Sequence, residues 1–287
     1  MTKEVVAFND ISSFGRCSLS VALPILSTLG IQCHPVPTMV LTGQCGYPIS
    51  YKKDMTSMLP QYTCAWNAID ASFDGIYTGY MTCPEQIDHV LDFIDAFKKE
   101  DTFLLVDPVM GDNGGTYRIY SKKLLARMRK LTHKATLITP NLTEACLLAG
   151  TSYDKITDIT NKHILIHSLS TLAKSLADKA EGKQDVIITG IHFKEGDESK
   201  MMTFAWTEGT HYTYVSPWYH KHFSGTGDIL SSTMCGLLLN GYSIEEALPI
   251  AGDFIHNSIV DTIPLDTDGN DGIHFEKHLC ELVKHAK

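Results

Sequence analysis

A turn of two glycines around a threonine carries the residues best suited to chemistry in this chain. The turn Gly225-Thr226-Gly227 is followed at once by Asp228 and by an apolar stretch that predicts a helix. Glycine lets backbone N–H groups approach a bound anion, and the helix start adds the positive end of its dipole. A carboxylate beside such a site is suited to accept a proton from a substrate hydroxyl. The pairing predicts phosphoryl transfer with Asp228 as the base.

Two further acids follow a buried strand. Asp107 comes directly after the apolar run 103–106, and Asp112 lies in the glycine-rich loop that continues from it. Carboxylate and water oxygens are preferred by Mg²⁺, so both acids are candidates for a metal–phosphate cluster. The loop residues Asp112 and Asn113 are equally typical of a turn chosen for its backbone shape. The residues leave both interpretations open for Asp107, and for Asn113 they favour the turn.

Asn141 and Glu144 have the spacing of a capping box at the start of a helix. The same pair is placed for a second role beside a hydrated Mg²⁺. A cap at the ligand edge of a sheet still directs its oxygens into the cleft, so the two interpretations do not exclude each other. We expect a helix from Asn141 to Leu148 in either case.

Apolar strands alternate with amphipathic helices along nearly the whole chain. Continuous apolar strands of this kind indicate a parallel sheet covered on both faces. Near 201–215 two strands without an intervening helix predict an antiparallel hairpin at the sheet edge. No linker and no repeat is visible, so we expect one α/β domain over 1–287. The predicted helices lie at 18–29, 53–68, 84–99, 121–131, 141–148, 160–179, 226–240, 243–260 and 274–285.

Polar residues gather at the predicted carboxyl ends of the strands. In an open α/β sheet that edge is where ligands bind. We therefore expect the residues of this group to line one site, together with the glycine turn at 225–227: Asp10, Tyr80, Asp107, Asn141 and Thr189.

The overall composition excludes several classes of function. The formal charge of −9, without a basic stripe, argues against nucleic acid as a partner. No apolar run is long enough to span a membrane, and no signal peptide opens the chain. The eight cysteines form no CxxC pair and the thirteen histidines show no HExxH spacing, which argues against a zinc site. We expect a cytoplasmic protein.

Four segments, taken in order and spacing, resemble the ribokinase-like superfamily and, within it, the pyridoxal (pyridoxine, pyridoxamine) kinases of vitamin B6 salvage. The segments are 78–80, 107–112, 138–144 and 225–228, and the resemblance runs from about Val5 to the C-terminal helices. It implies a three-layer α/β/α sandwich with a mostly parallel central sheet. It also implies ATP and Mg²⁺ as cofactors and a homodimer, and members often need a monovalent cation such as K⁺.

The resemblance also implies a role for each matching residue. Asp228 would take the proton of the substrate's 5′-hydroxymethyl group, and the N–H groups of Gly225, Thr226 and Gly227 would form the anion hole. Tyr80 would face the pyridine ring. The residues implied around Mg·ATP are Asp107, Asp112, Asn141 and Glu144, with Thr139 and Thr189 lining the nucleotide channel. Asp107, Asn141 and Glu144 would contact the metal through water.

The substrate loops depart from the family pattern in two places. Asp10 stands where many pyridoxal kinases carry serine, so either Asp10 or Ser12 would hold the polar edge of the ring. Cys45 stands where many relatives carry threonine. Because a thiol is a poorer hydrogen-bond donor than a hydroxyl, we expect ring selectivity to differ, although Cys45 is equally typical of a packed apolar residue.

Three other functions compete with a kinase of pyridoxal, pyridoxamine or pyridoxine. A hydroxymethylpyrimidine kinase of thiamine synthesis shares the fold and the glycine turn, but its usual glycine-rich first loop is not matched by 13–16, and 78–80 favours vitamin B6. Sugar kinases of the same superfamily typically carry an added lid of strands for which this chain is short. A non-catalytic binding protein of the same fold would not need Asp228.

Overall fold

The computed structural model describes residues 2–287, which form two compact units. The first unit contains the chain up to Leu105 together with His222–Lys287, and the second contains Val106–Lys221. The expectation of a single domain stays a prediction. Among residues 2–287 no helix combines the length and the apolar content that crossing a membrane requires.

Numbered in chain order, the strands are β1 (Glu4–Ser12), β2 (Gln32–Leu41), β3 (Lys52–Asp54), β4 (Gly75–Thr78), β5 (Phe103–Val106), β6 (Gly111–Asp112), β7 (Gly115–Thr116), β8 (Leu137–Ile138), β9 (Asp185–Glu195), β10 (Glu198–Thr207) and β11 (Thr210–Pro217). The α-helices are α1 (Leu19–Thr28), α2 (Leu59–Asn67), α3 (Pro84–Phe97), α4 (Lys122–His133), α5 (Leu142–Ala149), α6 (Asp154–Thr157), α7 (Lys162–Ala177), α8 (Thr226–Leu239), α9 (Ile244–Thr262) and α10 (Leu279–Val283). Short 3₁₀ turns cover Thr56–Met58, Ile263–Leu265, Gly269–Asp271 and Glu276–His278.

The first unit is built around β1, which pairs in parallel with both β2 and β4. Its residues are almost all buried, as expected of a central strand with a continuous apolar run. The short strand β3 closes this side of the sheet by pairing antiparallel with β2. Helix α1 packs against α8, which in turn packs against α9. Helix α8 is buried from Ile229 to Leu237, while its first turn is more exposed.

The second unit contains a parallel pair, β8 and β9, and an antiparallel run through β9, β10 and β11. The hairpin predicted near 201–215 is therefore confirmed, although its first strand also pairs with β9. Helix α7 packs against α5 and against β9. The parallel pairs and intervening helices confirm the α/β class with a mostly parallel sheet.

Two helix predictions were wrong at their ends. The predicted helix 53–68 begins only at Leu59, because Asp54 accepts the N–H of Thr56 (2.8 Å) and turns the chain out of β3. The predicted helix 274–285 is α-helical only over Leu279–Val283. Ahead of it, the N–H of His274 donates to Thr262 Oγ1 (2.8 Å), which holds the chain in a non-helical connection.

Candidate active site

The N-terminus of α8 is an uncapped helix start. Gly225 precedes the helix with φ of +79°, and no side chain caps the first turn. A Cβ at Gly225 would meet the carbonyl oxygen of Arg16 at 1.9 Å, so both the conformation and the space require glycine. With no side-chain acceptor in place, the N–H groups of Gly225, Thr226 and Gly227 carry the positive end of the dipole of α8. This end of the helix is suited to an anion.

Asp228 is the third residue of α8 and is partly buried. Its Oδ1 accepts a hydrogen bond from Asn9 Nδ2 (3.0 Å), and the carboxylate also accepts the backbone N–H of Ser18. Burial, helped by the nearby charge of Asp10, raises the pKa of Asp228 to about 6. The carboxylate is thus ionised at neutral pH but more basic than an ordinary aspartate, as a proton acceptor requires.

Asn9 is a site residue that the sequence analysis missed. Its side chain is 1 % exposed, and besides Asp228 it contacts the N–H groups of Asp10 (3.0 Å) and Tyr80 (2.8 Å) through Oδ1. The signal that could have found it is its place at the carboxyl end of β1, directly before the predicted Asp10.

Asp10 and Ser12 form one hydrogen-bonded group. The Asp10 carboxylate accepts the hydroxyl of Ser12 (2.9 Å) and the hydroxyl of Ser18 (2.6 Å). Both Asp10 and Ser12 are buried, and burial raises the pKa of Asp10. Because the two residues are bonded to each other, the choice between them as the ring contact stays open.

Cys45 and Tyr80 lie within electrostatic range of Asp10. Burial is the main cause that raises the pKa of Tyr80 to about 12, and the Cys45 thiol and Asp10 contribute to it. Burial and the Asp10 carboxylate likewise raise the pKa of Cys45, although this residue is exposed overall. The predicted ring contacts thus gather at one place in the first unit, with a neutral phenol and a neutral thiol.

The loop that carries Cys45 is fastened to the segment before α10. Gln44 Nε2 donates to Asn270 Oδ1 (2.5 Å), and the Tyr47 hydroxyl donates to the Asp271 carboxylate. Phe14 packs edge-on against Tyr47, with ring centroids 5.4 Å apart. The sequence analysis missed all of these residues. Two of them, Phe14 and Tyr47, line a cavity of about 390 Å³ together with Thr42, Gly43, Pro48 and Ile49.

In the second unit Glu144 and Asn141 form the capping box that their spacing predicts. Asn141 Oδ1 accepts the N–H of Glu144 (3.0 Å), and Glu144 Oε2 accepts the N–H of Asn141 (2.9 Å). Glu144 Oε1 accepts the N–H of Met110 (2.9 Å), and Asn141 Nδ2 donates to the carbonyl of Gly111 (2.7 Å). The box therefore also fastens the glycine-rich loop to the start of α5.

Asp107 and Glu144 are two buried carboxylates close enough to interact. Burial and the charge of Asp107 raise the pKa of Glu144 well above its usual range. Glu144 already accepts three backbone N–H groups, so it is poorly placed to coordinate a metal ion directly. Within residues 2–287 no group of three or more His, Cys, Asp or Glu side chains is arranged to hold a metal ion.

Asp112 is exposed and takes part in its own turn. Its carboxylate accepts the backbone N–H (2.8 Å) and the side-chain amide (3.1 Å) of Asn113. Asn113 and Gly114 have φ of +50° and +77°, so the turn interpretation of Asn113 is confirmed. The N–H of Gly114 donates to Thr143 Oγ1 (2.8 Å), which ties the turn to α5.

Thr139 and Thr189 lie where strands of the second unit end or bend. The N–H of Thr139 donates to the carbonyl of Val106 (3.1 Å), and the N–H of Thr189 donates to that of Pro140 (3.0 Å). Thr189 also bridges to Asn141 in parallel, just before Gly190 with φ of +69°. The structure thus brings Thr139, Asn141 and Thr189 close together, but Thr189 is not at the strand end that the sequence predicts, because β9 continues to Glu195.

Residues 52–272 match the family model described as phosphomethylpyrimidine kinase. The chain belongs to this family. It is 32 % identical over 249 residues to a hydroxymethylpyrimidine/phosphomethylpyrimidine kinase of Haemophilus influenzae, covering 86 % of this chain and 80 % of that one. The family assignment makes the protein an ATP-dependent phosphotransferase that acts on an alcohol group, and it implies a divalent metal ion.

Solved structures give the same result. A Bacteroides thetaiotaomicron protein described as a phosphomethylpyrimidine kinase, crystallised with pyridoxal, has a TM-score of 0.89 and 36 % identity, covering 98 % of this chain and 96 % of that one. A pyridoxal kinase from Lactobacillus plantarum has a TM-score of 0.86 and 26 % identity, covering 99 % and 97 %. The resemblance to pyridoxal kinases and the ribokinase-like fold is confirmed.

Proposed function

We propose that the protein phosphorylates the 5′-hydroxymethyl group of a B6 vitamer, namely pyridoxal, pyridoxamine or pyridoxine, with ATP as the donor. The observation that carries the proposal is the place of Asp228. This carboxylate of raised pKa lies in the first turn of an uncapped helix, and Asn9 links it to the backbone of Tyr80. The base, an anion site and an aromatic substrate contact are thereby joined in one unit. The Bacteroides relative crystallised with pyridoxal supports the same substrate class.

In this mechanism Asp228 accepts the hydroxymethyl proton as the substrate oxygen bonds to the γ-phosphorus, while the bond from that phosphorus to the β,γ-bridging oxygen breaks and ADP leaves. The N–H groups of Gly225, Thr226 and Gly227 stabilise the negative charge on the transferring phosphoryl group. Little covalent chemistry is needed, so positioning and electrostatic stabilisation provide most of the rate. The neutral phenol of Tyr80 faces the pyridine ring, and the Asp10–Ser12 pair supplies polar groups for its edge.

The second unit holds the nucleotide in this proposal. Asp107, Asn141 and Glu144 would hold Mg²⁺ through water, and Thr139 and Thr189 would line the nucleotide channel. When bound, the metal neutralises charge on the phosphates of ATP. Asp112 contributes through the turn that it stabilises. The K⁺ requirement and the homodimer implied by the resemblance stay predictions.

A second candidate is phosphorylation of hydroxymethylpyrimidine. The observations that favour it are the description of the matching family and the identity of 32 % to the Haemophilus kinase. Both substrates present a hydroxymethyl group on a flat nitrogen heterocycle, so Asp228 and the anion site would serve either one. The two substrates differ in the contacts of the ring, at Asp10, Ser12, Cys45 and Tyr80.

The deciding experiment is an assay of ADP release with pyridoxal, pyridoxamine, pyridoxine and hydroxymethylpyrimidine as parallel acceptors, each with ATP and Mg²⁺. We expect the highest kcat/KM with a B6 vitamer, and the position of the new phosphate is then checked by ³¹P and ¹H NMR. Turnover of the pyrimidine alone would overturn the B6 assignment in favour of the second candidate. Tight binding of a vitamer without ADP release would indicate a non-catalytic binding protein.

A further inference from the structure

The side-chain amide of Asn9 lies between the proposed base and the segment that faces the substrate ring. Its Nδ2 donates to Asp228 Oδ1 (3.0 Å), while its Oδ1 accepts the N–H groups of Tyr80 (2.8 Å) and Asp10 (3.0 Å). A backbone N–H can only donate, so the amide oxygen must face these two groups. The orientation of the amide follows from the network, and its NH₂ group must face the carboxylate.

The Asn9 side chain is closely surrounded by the fold. The residue is 1 % exposed and lies where the register of β1 against β2 shifts, between Asn9 and Ile11. Such irregularities re-aim side chains next to active sites. A Cβ at Gly79 would meet Asn9 Nδ2 at 2.4 Å, so glycine at that position makes room for the amide.

The groups around Asp228 have opposite effects on its ionisation, and the Asn9 amide is one of those that favour it. The other titratable groups that face Asp228 are the Asp10 carboxylate and the Cys17 thiol. Burial and the two carboxylates raise the pKa of Cys17 to about 12, so the thiol is neutral. Asp10 opposes ionisation of Asp228, and the Asn9 amide and the Ser18 N–H favour it.

We propose that Asn9 is a positioning residue for phosphoryl transfer: its amide orients the Asp228 carboxylate, keeps it ionised, and holds Tyr80 in register with the base. The inference rests on the proposed function, in which Asp228 accepts the substrate proton. Asn9 itself contacts neither the reacting hydroxyl nor the phosphoryl group in this arrangement, and it acts through its neighbours.

The test uses the full chain with Asn9→Asp, which keeps the size and the acceptor for both N–H groups but replaces the donor. We expect kcat near neutral pH to fall by about a hundredfold, and the acid limb of the kcat–pH profile to move up by about one unit. The KM for ATP should stay unchanged. Asn9→Ser, which is too short to reach Asp228, is a second variant that introduces no new charge and should lower kcat by about tenfold.

The matched control is Asn240→Asp, the same substitution at another buried amide. Asn240 ends α8 at the opposite end from Asp228 and donates to the carbonyls of Leu29 (2.8 Å) and His285 (3.0 Å). This variant should lose thermal stability while the acid limb stays in place. If the Asn9 variants lose activity only in proportion to lost folded protein, with an unmoved acid limb, the positioning role is overturned.

A readout without substrate separates this inference from the proposed function. In the resting protein the titration of Asp228 can be followed by ¹³C NMR of aspartate carboxyls, with the resonance assigned by its loss in Asp228→Asn. We expect the midpoint to rise in Asn9→Ser. A rise without turnover of any acceptor would keep the positioning role and overturn the proposed function, whereas an unmoved midpoint would overturn the positioning role whatever the acceptor.

Discussion

Two acids hold the same position in two helices and differ in nearly everything else. Glu144 is the third residue of α5, and Asp228 is the third residue of α8. Glu144 turns back to cap its helix, because Asn141 stands at the N-cap and completes a capping box. At α8 the N-cap is Gly225, which has no side chain, and Asp228 is instead bonded to Asn9 on β1.

The difference shows that the start of a helix can either anchor a neighbouring loop or bind an anion. At α5 the side chains satisfy the orphan N–H groups and tie in the loop at Met110 and Gly111. At α8 no side chain caps the first turn, so an anion can do so. Glu144 is occupied by backbone N–H groups of its own helix start and of the preceding loop, whereas Asp228 accepts the side-chain amide of Asn9 on β1.

Asp228→Asn tests the chemical half of this comparison with the largest expected effect. We expect kcat to fall by about 10³-fold, since an amide cannot accept the hydroxymethyl proton. Binding of the vitamer, measured by calorimetry, should be retained. Asp92→Asn, at an exposed site of α3, is the matched control and should leave kcat unchanged. Unchanged turnover in Asp228→Asn would contradict its role as the base.

Glu144→Ala tests the structural part of this comparison, the cap at the start of α5. Three backbone N–H groups would lose a buried acceptor, and we expect the free energy of unfolding to fall by about 3 kcal/mol, measured in urea. The matched control is Glu246→Ala, since Glu246 closes the capping box of α9 with Ser243 at an exposed helix start. We expect a clearly smaller cost there, because Glu246 is exposed and water can replace it as the acceptor. Equal costs for the two variants would show that Glu144 acts as an ordinary cap.

Gly79→Ala tests whether the activity of Asp228 depends on the position of the Asn9 amide on β1. The added methyl group would meet Asn9 Nδ2 at 2.4 Å and push the amide away from Asp228. We expect kcat to fall by about tenfold and stability by about 2 kcal/mol, as for an overpacked core. Gly182→Ala is the control, because nothing lies within 4 Å of an added Cβ there. If Gly79→Ala kept the wild-type kcat, the contact between Asn9 and Asp228 would not be needed for turnover.

The smallest effect is expected in the pH dependence of stability. The pKa of Asp228 is raised from 3.8 to about 6 in the folded state, so the folded protein holds this proton more tightly than the unfolded chain. The contribution is fully present below about pH 4 and is lost as the pH rises through about 6. Relative to wild type, Asp228→Asn should therefore be more stable at about pH 8 than at about pH 4, by about 2 kcal/mol. Thermal melting at both pH values measures the difference, and a constant difference would contradict the raised pKa.

Much of the fold and part of the site could be predicted from local patterns. Continuous apolar strands gave β1, β5 and β9, and the Asn141–Glu144 spacing gave the capping box, because both depend on residues close in sequence. The prediction of a helix over 53–68 was wrong at its start, because the turn at Asp54 overrides the helix propensity there. Asn9 was not predicted as a site residue, because its contacts are with positions 79, 80 and 228, which are far from it in sequence.

The α/β class, the family and the glycine turn before α8 can be predicted from the amino-acid sequence alone. These follow from short segments whose chemistry and order are visible along the chain. The surroundings of Asp228, in contrast, depend on the folded chain. Its partner Asn9 is 219 residues away, and its raised pKa comes from burial and from Asp10, neither of which adjacent residues encode. Long-range packing thus gives two similar helix-start acids different surroundings: Glu144 is bonded to backbone N–H groups, and Asp228 to the side chain of Asn9.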